Sequence, residues 1–131
     1  MGYSEVFLDC APGHGAVVDA AMRAATLVII PCKPSELDLE ATKETVQMAT
    51  AIGVPYRVLL NDGTFRTRSM GATKAELEKL GLALLSVVHH RVDTMLSTGL
   101  TVNERLPCST AAAEIMRAYD AMMGVLRPCA I

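Results

Sequence analysis

Val6-Phe7-Leu8-Asp9-Cys10-Ala11-Pro12-Gly13-His14-Gly15 is the stretch whose reading decides the fold. Three apolar residues end in an acid, a Pro-Gly pair stops the run and turns the chain, and an alanine-rich stretch begins at Ala16. This is the pattern of a buried strand that delivers a carboxylate to its C-terminal end, the edge where open α/β sheets bind ligands. The same residues also suit a strand whose terminal Asp only caps the turn that follows.

Downstream, apolar runs and helical periodicities alternate. Residues 14–25 read as a helix carrying an i,i+4 ion pair, Asp19 with Arg23. Leu27-Val28-Ile29-Ile30 is apolar throughout and stops at Pro31, as expected of a parallel strand buried on both faces. Pro31 and Pro34 impose an extended exit, and Ser35-Glu36-Leu37-Asp38 has the form of a capping box opening a helix to about Ile52, closed by Gly53 and Pro55. Arg57-Val58-Leu59-Leu60 is the next strand and ends at Asn61.

Residues 62–71 are polar apart from Phe65 and Met70 and read as an exposed loop. Thr73-Lys74-Ala75-Glu76 then predicts a short helix to Leu80, followed by a strand over 82–88, a helical segment over 91–97 and a connection over 101–107. Ser109 or Thr110 caps a last helix whose apolar residues, among them Ala112, Ile115, Met116, Tyr119, Met122, Met123 and Leu126, recur at helical spacing and predict core packing. The expectation is a single α/β domain over 1–131, a parallel sheet covered by helices.

Composition narrows the function. Half the residues (51%) are hydrophobic and mean hydropathy is +0.33, yet no apolar run approaches the roughly 18 residues of a membrane span. Such a balance suits a sheet covered on both faces, or a chain that hides surface against a partner. A net charge of −2 excludes nucleic-acid binding driven by bulk charge, so any DNA contact is local. No basic segment followed by an apolar signal core opens the chain, which predicts a cytoplasmic protein. Cys10, Cys32, Cys108 and Cys129 form no metal-binding spacing with the three histidines and read as buried free thiols; His89-His90, adjacent at a strand end, point apart and chelate poorly.

Three strand ends, Asp9 with Pro12-Gly13, Pro31 with Lys33-Pro34-Ser35, and Asn61, together resemble the ParA/MinD group of deviant-Walker P-loop ATPases, and within it the small plasmid-partition ParA proteins. Leu8-Asp9-Cys10-Ala11-Pro12-Gly13 resembles that family's Walker B strand and switch turn. Leu27-Val28-Ile29-Ile30-Pro31-Cys32-Lys33-Pro34-Ser35-Glu36-Leu37-Asp38-Leu39 resembles its Pro-x-x-Pro-Ser-x-x-Asp-Leu run, the most distinctive match. Leu60-Asn61, His90-Arg91-Val92, Gly99-Leu100-Thr101-Val102 and the helix from Ala111 extend the similarity over essentially the whole chain.

The resemblance implies an incomplete P-loop NTPase-like fold and roles in binding Mg-ATP. Asp9 would act on Mg²⁺ through water, Pro12 and Gly13 would belong to the switch turn that senses the γ-phosphate, and Asn61 would help hold the adenine. It also implies a nucleotide-driven dimer or a full-length ParA-like partner, a ParB-like partition protein, and nonspecific DNA, for which Arg66 and Arg68 in the polar loop are candidates. One element has no counterpart: no Gly-x-x-x-x-Gly-Lys-[Ser/Thr] or related lysine loop occurs in the sequence, so the chain corresponds to the family's C-terminal portion. Without that loop's lysine, amide cradle and hydroxyl, hydrolysis by the chain alone is not expected, and ATP and Mg²⁺ bind only if another segment or chain supplies it.

In the family a phosphate-loop strand runs between the counterparts of the Asp9 and Leu27–Ile30 strands. Its absence leaves two expectations, that these strands close on each other or that another chain inserts one. The alternative function is a non-catalytic module of this fold that binds and regulates a protein partner. An unrelated flavodoxin-like α/β domain would place its ligand at the same edge.

Overall fold

The computed structural model describes residues 3–13, 15–64, 66–91 and 99–127. Within them the chain forms α1 (Ala16–Ala24), β1 (Val28–Cys32), α2 (Glu36–Ile52), β2 (Tyr56–Gly63), α3 (Arg68–Lys79), β3 (Leu84–His89), α4 (Val102–Arg105) and α5 (Thr110–Leu126). The strands make one parallel sheet in the order β1-β2-β3, with Val28 opposite Tyr56, Cys32 opposite Leu60 and Val58 opposite Leu84.

Strand alternation divides the core between two faces. Val58 and Leu60 point to one side and are fully buried with Cys32 and Leu77, beside Met70 and against Leu39 of α2. Leu59, between them, faces the other side and lines cavities beneath α5. Met22, Ala49 and Val54 form a second cluster where α1 and α2 meet. Each long helix starts on a side-chain cap: Ser35 accepts from the Asp38 N–H, Thr67 from Met70 and Ser109 from Ala112. Gly53 ends α2 in the left-handed region (φ 81°), its N–H bonding back to Ala49 and Thr50. Asp19 and Arg23 pair at 2.9 Å as their spacing implies.

Several expectations are corrected. Val6, Phe7 and Leu8 form no strand and are not buried: they are 74, 67 and 55% exposed. A strand exists only beside a neighbour, and a cavity of about 1050 Å³ separates this segment from β1, so neither the pairing nor the covering helix face is there to hold it. The two runs do not close on each other.

The polar stretch 62–71 is mostly structured. Asp62 and Gly63 extend β2, and Thr67 rather than Thr73 caps α3, because Met70 and Thr73 both turn inward and are buried. Thr101 opens α4 with a full capping box to Glu104 inside the expected connection. Of the cysteines, Cys32 is buried, and burial pushes its thiol pKa up, whereas Cys10 and Cys108 are exposed. Met116 and Tyr119 of the α5 stripe are exposed, while Met122 is buried. The helix expected over 91–97 lies, apart from Arg91, outside the described residues, as does Cys129.

Gly63 meets the tightest constraint in the sheet, since a Cβ there would run into the Met70 methyl and sulfur beneath it. Gly63→Ala is expected to cost about 1–3 kcal/mol by overpacking. In a double-mutant cycle of denaturant unfolding with Met70→Ala, the two changes should couple by at least about 1 kcal/mol; additivity would show that the contact does not constrain the strand.

Candidate functional site

The candidate site lies along the carboxyl ends of the strands, where β1 runs into Lys33, β2 into Asn61 and Asp62, and β3 into His89, His90 and Arg91. Its geometry starts at a defect in the β2–β3 ladder. The register slips between Asn61 and Gly63, and Asp62 sits in the left-handed region at φ 58°, a conformation aspartate tolerates better than most residues. The bulge leaves the Asp62 carboxylate between an ammonium and an imidazole ring. Lys33 Nζ lies 2.9 Å from Oδ2, and the His90 ring Nδ1 donates to Oδ1. Hydrogen bonds from His90 and Lys33 hold the Asp62 carboxyl below its usual range, and the same contact raises the Lys33 ammonium.

A second cluster ties β3 to α5. Glu114 is 3% exposed, and its carboxylate accepts from the His89 N–H (3.0 Å) and ring Nδ1 (2.9 Å) and from Arg91 Nη2 (2.7 Å) and Nε (3.3 Å). Burial alone would push this carboxyl up, but the Arg91 guanidinium and the two His89 bonds outweigh it and bring it down to about 2. His89 and His90 therefore serve different carboxylates on different elements, as adjacent strand residues must. Sequence reasoning had not singled out Lys33 with Asp62, or Glu114, as a site. Glu114 does carry a legible signal: it is the one charged residue on the Ala111, Ala112, Ile115 face of α5.

Between these clusters lies a cavity of about 450 Å³, walled by Lys33, Asn61, Asp62 and His90 and floored by Leu59, Val88, Ile115 and Ala118. Its charge is balanced, because Lys33 is committed to Asp62. A concave, mostly apolar space with one carboxamide and neutral overall charge suits a flat, uncharged heterocycle rather than an anion.

Asp9, Pro12 and Gly13 line the larger, 1050 Å³ cavity instead. The structure thus does not bring Asp9 and Asn61 to one cavity. Arg66 and Arg68 are exposed beyond the end of β2, Arg66 with φ 57° and Arg68 as the first residue of α3. Among the described residues no group of three or more His, Cys, Asp or Glu side chains could hold a metal ion, and no helix is long and apolar enough to cross a membrane.

No family model matches the sequence. Among solved structures the fold is similar to that of the cell division ATPase MinD of Pyrococcus furiosus, with a TM-score of 0.75 and 18% identity over 89% of this chain and 50% of that one. At that identity the likeness establishes the fold, an α/β architecture with the parallel sheet and helices of a MinD-like, P-loop NTPase-like structure. The chain spans about half the length of the MinD chain that it matches.

The Glu114 cluster sets the acid limb of stability. Its folded pKa of about 2 lies below the ordinary 4.5, so its contribution is complete above about pH 4.5 and is lost as pH falls toward 2. A shift of that size is worth about 3 kcal/mol. Glu114→Gln should remove roughly that much at pH 7 and flatten the decline of unfolding free energy between pH 5 and 2; an unchanged acid limb in urea titrations would show that the cluster does not anchor α5 to β3.

Proposed function

We propose that the chain is a ParA/MinD-like ATPase-type module of the segregation and division class, one that holds the base end of a nucleotide and does not hydrolyse ATP through its own residues. The observation that carries this reading is the neutral, Asn61-walled cavity at the carboxyl edge of a MinD-like sheet. A carboxamide beside an apolar floor can pair with a base edge while the ring stacks on Val88 and Ile115.

The phosphate and metal end fits less well. Asp9 is a single exposed carboxylate on a segment outside the sheet, and no lysine-bearing phosphate loop occurs in the 131 residues. When a triphosphate is bound, Mg²⁺ would supply charge neutralisation at its oxygens, and Asp9, Pro12 and Gly13 are the residues of this chain proposed to meet it, but the cationic and amide donors come from elsewhere. Within this reading the module works in partition of plasmid or chromosomal DNA, as a homo-oligomer or with a full-length ParA-like partner and a ParB-like protein. Arg66 and Arg68 are proposed to touch the DNA backbone; double charge reversal that leaves DNA retention by the assembly unchanged would remove them from that role.

Calorimetry separates the two ends of the nucleotide. Adenosine and Mg-ATP should bind with similar, millimolar affinity, about −4 kcal/mol, and Asn61→Ala should weaken both about tenfold. Indifference of both ligands to Asn61→Ala, or no heat from either, sinks the base assignment. Micromolar Mg-ATP binding lost in Asp9→Ala would mean that the chain's own residues hold the phosphates after all.

A further inference from the structure

Of the polar side chains that line the 450 Å³ cavity, most are already engaged. Lys33 and Asp62 hold each other at 2.9 Å, and the His89 ring is on Glu114, also at 2.9 Å. The Asn61 carboxamide and the second ring nitrogen of His90, Nε2, bond to no other group among the described residues. These two are what the cavity offers a ligand.

They differ in how firmly their chemistry is set. A carboxamide carries a donor and an acceptor side by side, and a half turn about its last torsion exchanges them. Asn61 therefore fits two kinds of base edge equally well: an amidine, in which an amino group flanks a bare ring nitrogen, and a lactam, in which a carbonyl flanks a ring N–H. His90 has no such freedom. Its backbone N–H bonds to the Gly63 carbonyl at 3.0 Å, which anchors it at the end of the β2–β3 ladder, and its Nδ1 faces Asp62. An ionised carboxylate only accepts, so Nδ1 carries the ring proton and Nε2 of the neutral ring is left as an acceptor. Asp62 is fixed in its turn. Lys33 takes its other oxygen, the bonds from His90 and Lys33 hold its carboxyl below the usual range, and the bulge sets its backbone.

Granted the base-holding role proposed for this cavity, we infer that His90 is its specificity-determining residue and that it admits heterocycles with an amidine edge, aminopurines and aminopyrimidines alike, over their oxo counterparts. An amino group has two hydrogens. One meets His90 Nε2 and the other Asn61 Oδ1, while the Asn61 amide donates to the neighbouring ring nitrogen. A carbonyl in the same place sets its lone pairs against that of Nε2 and leaves both without a donor. The carboxamide alone would rotate to accommodate either edge, so the choice falls to the ring that cannot. Lys33 and Asp62 are positioning residues, acting through the proton on Nδ1.

The probes are adenosine, cytidine, inosine and uridine, titrated into the full chain at pH 8 and followed by NMR shifts of the amides and of the His90 ring nitrogens. Adenosine and cytidine should bind at least about tenfold more tightly than inosine and uridine, with the ring proton on Nδ1. His90→Phe keeps a ring but no nitrogen, and should bring the four affinities within about threefold of one another. Asp62→Asn, a residue equally suited to the left-handed backbone, should invert the preference. Its amide turns the oxygen to Lys33 and the NH2 to Nδ1, which moves the ring proton to Nε2 and makes that nitrogen a donor. A merely structural role for Asp62 would weaken all four ligands alike. Equal binding of amino and oxo nucleosides by the wild-type chain overturns the assignment to His90 and leaves the base-holding role standing; discrimination that survives His90→Phe, or that Asp62→Asn leaves unchanged, does the same. Binding of none of the four up to about 10 mM overturns both. The wild-type ratio alone decides if either variant fails to fold.

Discussion

β2 is the strand on which the rest of the molecule depends, because among the described strands it is the one that pairs on both edges. It pairs with β1 and β3, and its Val58 and Leu60 are fully buried against α2 and α3. The quality of the structure falls away from it in one direction. β1 has two faces and one neighbour, and Val6-Phe7-Leu8 has none of these supports, so three residues of strong strand propensity stay outside the sheet.

At the carboxyl edge the organising force is electrostatic pairing rather than apolar burial. Lys33 pairs with Asp62 at the bulge, where the His90 ring also donates, and Glu114 gathers His89 and Arg91 from the other side. Because these charges are spent on each other, the cavity between them is left neutral and Asn61 becomes its chief hydrogen-bonding group. The same pairing fixes α5 over β3 and thereby sets the position of Met122 and Leu126, far along the helix, as one wall of the larger cavity. The two cavities thus share one scaffold, and Leu59 is the residue that lines both.

An apolar chain of low net charge suits a covered sheet or a surface hidden against a partner; here β2, paired on both edges, is the covered part, and β1, paired on one, leaves an open edge.

The α/β class, the alternation of strands and helices from Leu27 to Val88, the cap at Ser35 and the helix end at Gly53 were legible in the sequence, because they follow from local periodicity, backbone freedom and capping chemistry within a few residues. The sequence also placed Asn61 at a strand end. Only the tertiary structure decided whether the apolar run before Asp9 becomes a strand, since that rests on a neighbour no local pattern can supply. Likewise Thr67 rather than Thr73 starts α3 because of where Met70 packs, and Glu114 meets His89 and Arg91 more than twenty residues away. Pairings of that range depend on how the elements stack, and stacking is a property of the folded chain.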